Sequence, residues 1–338
     1  MGYRKRILFE KLAIQVSAVV CLAGVFFLLA PHCVGSDPLK GLLFLVDGNW
    51  QGAVLSIAGL WVLALIAGVG MGFVRPQGAM MVPLVGMMGV CLYSAWIRPW
   101  LWEYDDQLSS LYLWMIVELL IGGGALFVAG LILDGARRWA TDRGWSPLWT
   151  EPIELGESSD KAINPTHPQP DHRFLGLIEG LSHTARGMMD KDSPSESRQA
   201  GSTVLGFAVN VVVSLILVMI LLKSSKRGQA VFAVGVGCLL GTLIVQYLSP
   251  IRALAGVLMA PVVGGLVFYG VAVASLGGLG GPEAWMGVKF YAQPLPIDWL
   301  FAGPAGAMLG AWLSHRMIET GYMEKAELGQ DTKESIDE

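Results

Sequence analysis

The sequence predicts an all-α fold, a polytopic membrane bundle of about eight transmembrane helices. Three observations carry that expectation. First, 54% of the 338 residues are hydrophobic and 15% are charged, against roughly 45–50% and 25% in ordinary soluble domains. Second, the apolar residues are gathered into nearly uncharged runs of about twenty, the length that crosses ~30 Å of hydrocarbon at ~1.5 Å per residue. Third, Trp and Tyr crowd one set of run ends, while Lys and Arg fall mainly at the other, as an aromatic belt and the positive-inside rule require.

The first run, Leu12 to Ala30, follows Arg4, Lys5, Arg6 and Lys11. A basic start before an apolar core also describes a secretory signal. This run is long enough to span, however, and Pro31, His32 and Cys33 form a poor small-residue cleavage site, so it reads as an uncleaved first helix. The next runs are 53–74, 79–97 and 109–134, then 203–222, 229–249, 253–276 and 298–317. "GLLFLV" (41–46) is too short to cross and is expected at the membrane interface. The basic N-terminus places residue 1 in the cytoplasm. Arg75, the Arg137–Arg138–Arg143 group, Arg252 and His315–Arg316 then fall on the same side. Outside lie 31–52, 98–108 and 277–297, with Trp50, Trp96, Trp100, Trp102, Trp285, Tyr291 and Trp299 near that boundary. One connection disagrees: Lys223, Lys226 and Arg227 also land outside.

The domain organisation is four spans in 1–134, a cytoplasmic linker over 135–200, four spans in 201–320 and a polar tail, 321–338. Within the linker, "TEPIELGESSDKAINPTHPQPDHR" is too rich in Pro, Ser and charge to build a core. Phe174, Ile178, Leu181, Ala185 and Met188 then recur at helical spacing, so an amphipathic helix is expected near 172–189, lying on the inner leaflet or on the bundle. The linker is the segment expected to recruit a protein partner. The halves carry a weak 4+4 parallel repeat. "MVPLVGM" (81–87) echoes "MAPVVGG" (259–265), and "LLIGGGALFVAG" (119–130) echoes "LFAGPAGAMLGA" (300–311). Some transporters are built from such repeats, although apolar helices also match by chance. Small residues four apart (Gly68–Gly72, Gly237–Gly241, Gly256–Ala260, Gly306–Gly310) allow close helix approach. Pro83, Pro261 and Pro304 interrupt spans.

The candidate functional residues are the intramembrane polar ones: Glu118, Tyr93, Tyr269 and Asn210. Glu118 is read as the sole ionisable group deep in a span. Its helical face continues through Gly122, Ala125 and Ala129, so it points into the bundle. At ~1.5 Å per residue it lies roughly 4–5 Å outside the midplane, Tyr93 and Tyr269 roughly 7 Å outside and Asn210 roughly 4 Å inside. A tyrosine hydroxyl is therefore its expected partner, and no Lys or Arg shares its level. Two readings stand: a neutral, hydrogen-bonded acid that fixes packing, or a group that handles protons or cations.

Enzyme chemistry is not expected. The chain has no phosphate-binding loop, dinucleotide fingerprint, zinc-protease motif or nucleophile elbow. No cofactor and no metal site is expected: Cys21, Cys33, Cys91 and Cys238 form no CxxC pair, and His167, Asp171 and His172 sit in a Pro-rich stretch. The acids Glu103, Asp105 and Asp106 read as solvated loop charges. A net charge of −4 without a basic domain argues against nucleic acid; the lipid bilayer is the expected partner, and self-association stays open. The ending "PLPIDWLFAGPAGAMLGAWLSHR" resembles C-terminal stretches of uncharacterised bacterial multi-pass membrane proteins. That resemblance implies a bacterial inner membrane and no activity. Two functional classes follow: a non-catalytic membrane subunit or scaffold, or a small-solute or proton-coupled transporter using Glu118.

Overall fold

A computed structural model describes residues 3–35, 37–72, 76–142, 194–224, 226–248, 254–276, 284–314 and 317. Every regular element among them is helical. The long helices are α1 (Tyr3–Gly24), α2 (Trp50–Gly72), α3 (Pro76–Tyr93), α4 (Leu108–Asp142), α5 (Pro194–Leu221), α6 (Arg227–Leu248) and α7 (Leu254–Leu276), followed by α8 over 303–314. Among the described residues six stretches are long and apolar enough to cross a bilayer: Leu12–Cys33, Trp50–Ala67, Asp105–Leu133, Val204–Leu221, Arg227–Leu248 and Ala255–Leu276. The chain is thus a multi-pass membrane protein in contact with lipid. The expected third and eighth spans are shorter. The apolar part of α3 is Met80–Tyr93, and α8 is buried on nearly every side by the helices around it.

Local chemistry explains several boundaries. Asn49 precedes α2; its Oδ1 accepts the Gly52 amide at 3.0 Å, and its Nδ2 donates to Cys33 O, an orphan carbonyl at the end of the first span. Two π-helical turns, Val25–Leu29 and Asp298–Ala302, each end two residues before a proline, Pro31 and Pro304. A proline cannot donate to the carbonyl four residues back, so the turn before it widens instead: Ala30 N–H reaches Val25 O and Gly303 N–H reaches Asp298 O.

Glycines set the closest packing. A side chain on Gly237 or Gly241 would strike Val218 or Ser214 of α5. One on Gly306 would overlap Gly235 O, and one on Gly310 would overlap Leu239 O. Both pairs keep one register, and Arg227–Asp298 at the helix starts keeps it too. α6 and α8 therefore run parallel, backbone against backbone. Around them α7 packs on α4 and α5, and α3 packs on α1, α2 and the Asp298–Ala302 turn. α2 packs closely on α3, whereas α6 and α7, their counterparts in a 4+4 repeat, form no comparable pair. The halves do not share a pairing pattern.

Two boundaries differ from expectation. α4 runs on to Asp142 and α5 begins at Pro194, so both enter the range assigned to the linker. At ~1.5 Å per residue they measure ~52 and ~42 Å, longer than the ~30 Å hydrocarbon core. The remaining linker, with its helix near 172–189, and the tail 321–338 lie outside the described residues.

Candidate functional site: a tethered loop face

The described parts of the connections 34–49, 94–107, 222–226 and 284–297 gather at one end of the bundle. Gly41 N–H donates to Trp96 O at 2.8 Å, Lys40 pairs with Glu103, and the turn Asp105–Gln107 touches Ala284–Gly287. Arg227, at the start of α6, reaches the end of α3 through Cys91 O at 3.0 Å and the start of the last helical run through Asp298. The loop containing Lys223, which the charge rule left as a misfit, is on the same face as the others.

"GLLFLV" does not lie flat at an interface. Leu42, Leu43 and Phe44 are buried at 6% exposure or less, inserted into the bundle as a plug. Non-helical backbone buried in such a bundle needs protein partners for its polar groups, and several are supplied here. Leu42 N–H donates to Ser94 Oγ at 2.9 Å, Trp100 Nε1 donates to Gly41 O at 2.7 Å, and Leu45 N–H donates to Glu118 Oε2 at 3.2 Å. The last connection is held the same way. Tyr112 OH donates to Ala292 O at 2.9 Å and Tyr269 OH donates to Pro294 O at 2.6 Å, their rings 6.0 Å apart.

This geometry corrects the expected partners. Glu118 is buried as anticipated, but it takes a backbone amide of the plug, not a tyrosine hydroxyl. Tyr93 is 40% exposed with its ring edge-on to Phe26. Tyr269 is fully buried and committed to Pro294. Glu118 Oε1 has no hydrogen-bond partner among the described residues. Asn210 is elsewhere: fully buried between α5 and α6, its Oδ1 accepts from Thr242 Oγ1 at 3.1 Å and Ser214 Oγ at 3.4 Å.

Glu118 is also not the sole buried ionisable group. Asp298 is 0% exposed and Arg227 9%. Nη1 and Nη2 of Arg227 donate to Oδ2 and Oδ1 of Asp298, and Leu295 N–H donates to Oδ2 at 2.8 Å. This two-pronged pair, with Nε on Cys91 O, satisfies the guanidinium fork and ties α3, α6 and the last helical run together. The sequence did carry a signal for it. Arg227 violated the positive-inside pattern, and a lone acid stood in the apolar frame of "PLPIDWLF" on the same predicted side.

Closer to solvent, Gly35, Asp37, Lys40, Asp47 and Asn49 line a concavity of about 10 Å³, room for about one water. Partial burial raises the Asp47 carboxyl above its usual range, and the hydrogen bond to Glu103 raises the Lys40 ammonium. Among the described residues no group of three His, Cys, Asp or Glu could hold a metal; His167, Asp171 and His172 are not among them. No family model matches the chain, and no curated protein or solved structure matches it.

Proposed function

We propose that the chain is a non-catalytic membrane subunit or scaffold of a bacterial inner membrane. It crosses eight times, with both termini and the 143–193 linker in the cytoplasm. Shared placement of four connections supports eight crossings, since α3 and α8 must then each run from one face to the other. The observation that carries the scaffold reading is where the buried ionisable groups are spent. Arg227 and Asp298 neutralise each other, and Glu118 takes an amide of the plug. Each secures the protein's own loops rather than opening a passage. α4 and α5 both project beyond the hydrocarbon toward the linker, as a platform for a cytoplasmic partner would require. Deleting 150–198 from the full chain should strip a co-purifying partner from detergent extracts; an identical pull-down before and after removes this reading.

One observation favours a second reading. Among the described residues Glu118 Oε1 is buried without a partner, which leaves one carboxyl oxygen to take up a proton. In that case Glu118→Gln abolishes pH-linked flux in reconstituted vesicles while the protein stays folded. Unchanged flux, or none from the parent chain under any gradient, removes it.

A further inference from the structure

The segment that carries the plug closes on itself. A side chain on Gly35 would strike the Asp47 carboxylate, so Asp47 lies directly against the backbone where the segment begins. A loop with its ends in contact and its middle packed inward is an Ω-loop. The concavity of about 10 Å³ sits at this neck, lined by Gly35, Asp37, Lys40, Asp47 and Asn49 together with the plug residues Leu42, Leu43 and Phe44.

The two ends of the plug are held differently. Its start is pinned: Gly41 N–H donates to Trp96 O, and a side chain on Gly41 would meet Leu295 and the Trp96 backbone. Its end leads into Gly48, at φ 66°, where a side chain would meet nothing within 4 Å. That left-handed backbone is one glycine adopts freely. Asn49, just beyond, is fixed by Cys33 O and the Gly52 amide. Gly48 is therefore a hinge between the anchored start of α2 and Asp47. Asp47 N–H donates to Leu43 O at 3.0 Å, which couples Asp47 to the plug.

Charge gathers at the neck. Asp47 faces Lys40 and Asp37 of its own loop and Glu103 of the 98–103 helix. Lys40 is committed to Glu103 and to the face of Trp100, 4.5 Å from its ring centre. On the far side of the plug the ionisable neighbour is Glu118 of α4, which holds the Leu45 amide. Burial raises the Asp47 carboxyl, Lys40 opposes the rise, and Asp37 and Glu103 add to it. A carboxyl raised by the closed neck favours closure fully below the ordinary aspartate range, and that preference is lost as pH rises through the raised value.

We propose that 35–47 is an acid-tightened clasp: neutral Asp47 rests on Gly35 and holds the plug, and ionised Asp47 turns out to water about the Gly48 hinge and loosens it. The clasp is independent of whether the chain is a scaffold or a transporter. Hydrogen exchange of the 41–47 amides tests it, measured on the full chain in lipid nanodiscs from about pH 4 to about pH 7, corrected for intrinsic rates and compared with amides of α6. Protection of 41–47 in the parent chain should fall severalfold over that range. Asp47→Asn, neutral throughout, should keep the acid-side protection at both ends. Gly35→Ala props the neck open and should show the low protection at both ends. Glu118→Gln should keep the fall. A parent chain without the fall overturns the proposal, as does a fall that persists in folded Asp47→Asn or that Glu118→Gln abolishes. If Asp47→Asn does not fold, Gly35→Ala decides, and a parent-like fall in it overturns the clasp.

Discussion

At the scale of single residues, the bundle separates charges that lock from charges that lie exposed. Removing one member of the Arg227–Asp298 pair strands the other in a dry environment. Arg227→Met or Asp298→Leu should each lower stability by ~3–5 kcal/mol in detergent thermal unfolding, while the double substitution should recover much of that loss. A double variant as unstable as the singles would mean the pair does more than neutralise itself. For Glu118 the relevant contact is the Leu45 amide. Glu118→Leu leaves that amide unmatched and should cost about 1–3 kcal/mol, with protease cutting appearing in 41–47, whereas Glu118→Gln keeps an acceptor and should cost less than ~1 kcal/mol. The Lys40–Glu103 pair is half-exposed and contributes little. Its sign is nonetheless fixed. Glu103 raises the Lys40 ammonium, so the contribution is complete below the ordinary lysine range and fades as pH rises through the raised value. Lys40→Met should flatten the alkaline limb of the stability profile, and an unchanged limb would assign it elsewhere.

At the scale of helices, glycine position decides which elements touch. Gly306 and Gly310 were visible in the sequence as a small-residue pair, but their partner was not, because any small-residue face is a permissible neighbour in lipid. The structure assigns Gly235 and Leu239 to them. Gly306→Val must push a side chain into a backbone carbonyl that cannot rotate away. It should cost roughly 1–3 kcal/mol or more, read as lost thermal stability. Gly124 looks equivalent in sequence, within "IGGGA", yet a side chain there meets nothing within 4 Å. Gly124→Ala should be neutral or stabilise by up to ~1 kcal/mol. Equal effects at the two glycines would contradict the packing. The prolines illustrate the same division. Pro304 was legible as an interruption and Pro31 as the residue just past the first run, while the π turns before them depend on which neighbouring backbone absorbs the missing hydrogen bond.

At the scale of the whole molecule, four connections share one face. An impermeant amine reagent should therefore modify Lys40, Lys223 and Lys289 from the same side of sealed vesicles. Labelling of Lys40 and Lys223 from opposite sides would break the eight-crossing topology. The misfit of Lys223, Lys226 and Arg227 with the positive-inside pattern has a partial physical answer, since Arg227 is buried and neutralised and no longer counts as a loop charge.

The sequence by itself determined that this is an all-helical membrane protein, because long uncharged apolar runs have no other stable state in lipid. It also determined that Glu118 faces the bundle, since helical periodicity fixes the face a side chain occupies. Tertiary structure decided what Glu118 touches, that "GLLFLV" is a plug, and that Arg227 and Asp298 meet across more than seventy residues of chain. Periodicity and depth place a residue on one helix. The identity of the neighbouring helix, and the loop backbone folded between helices, depend on packing among segments that are chemically almost interchangeable.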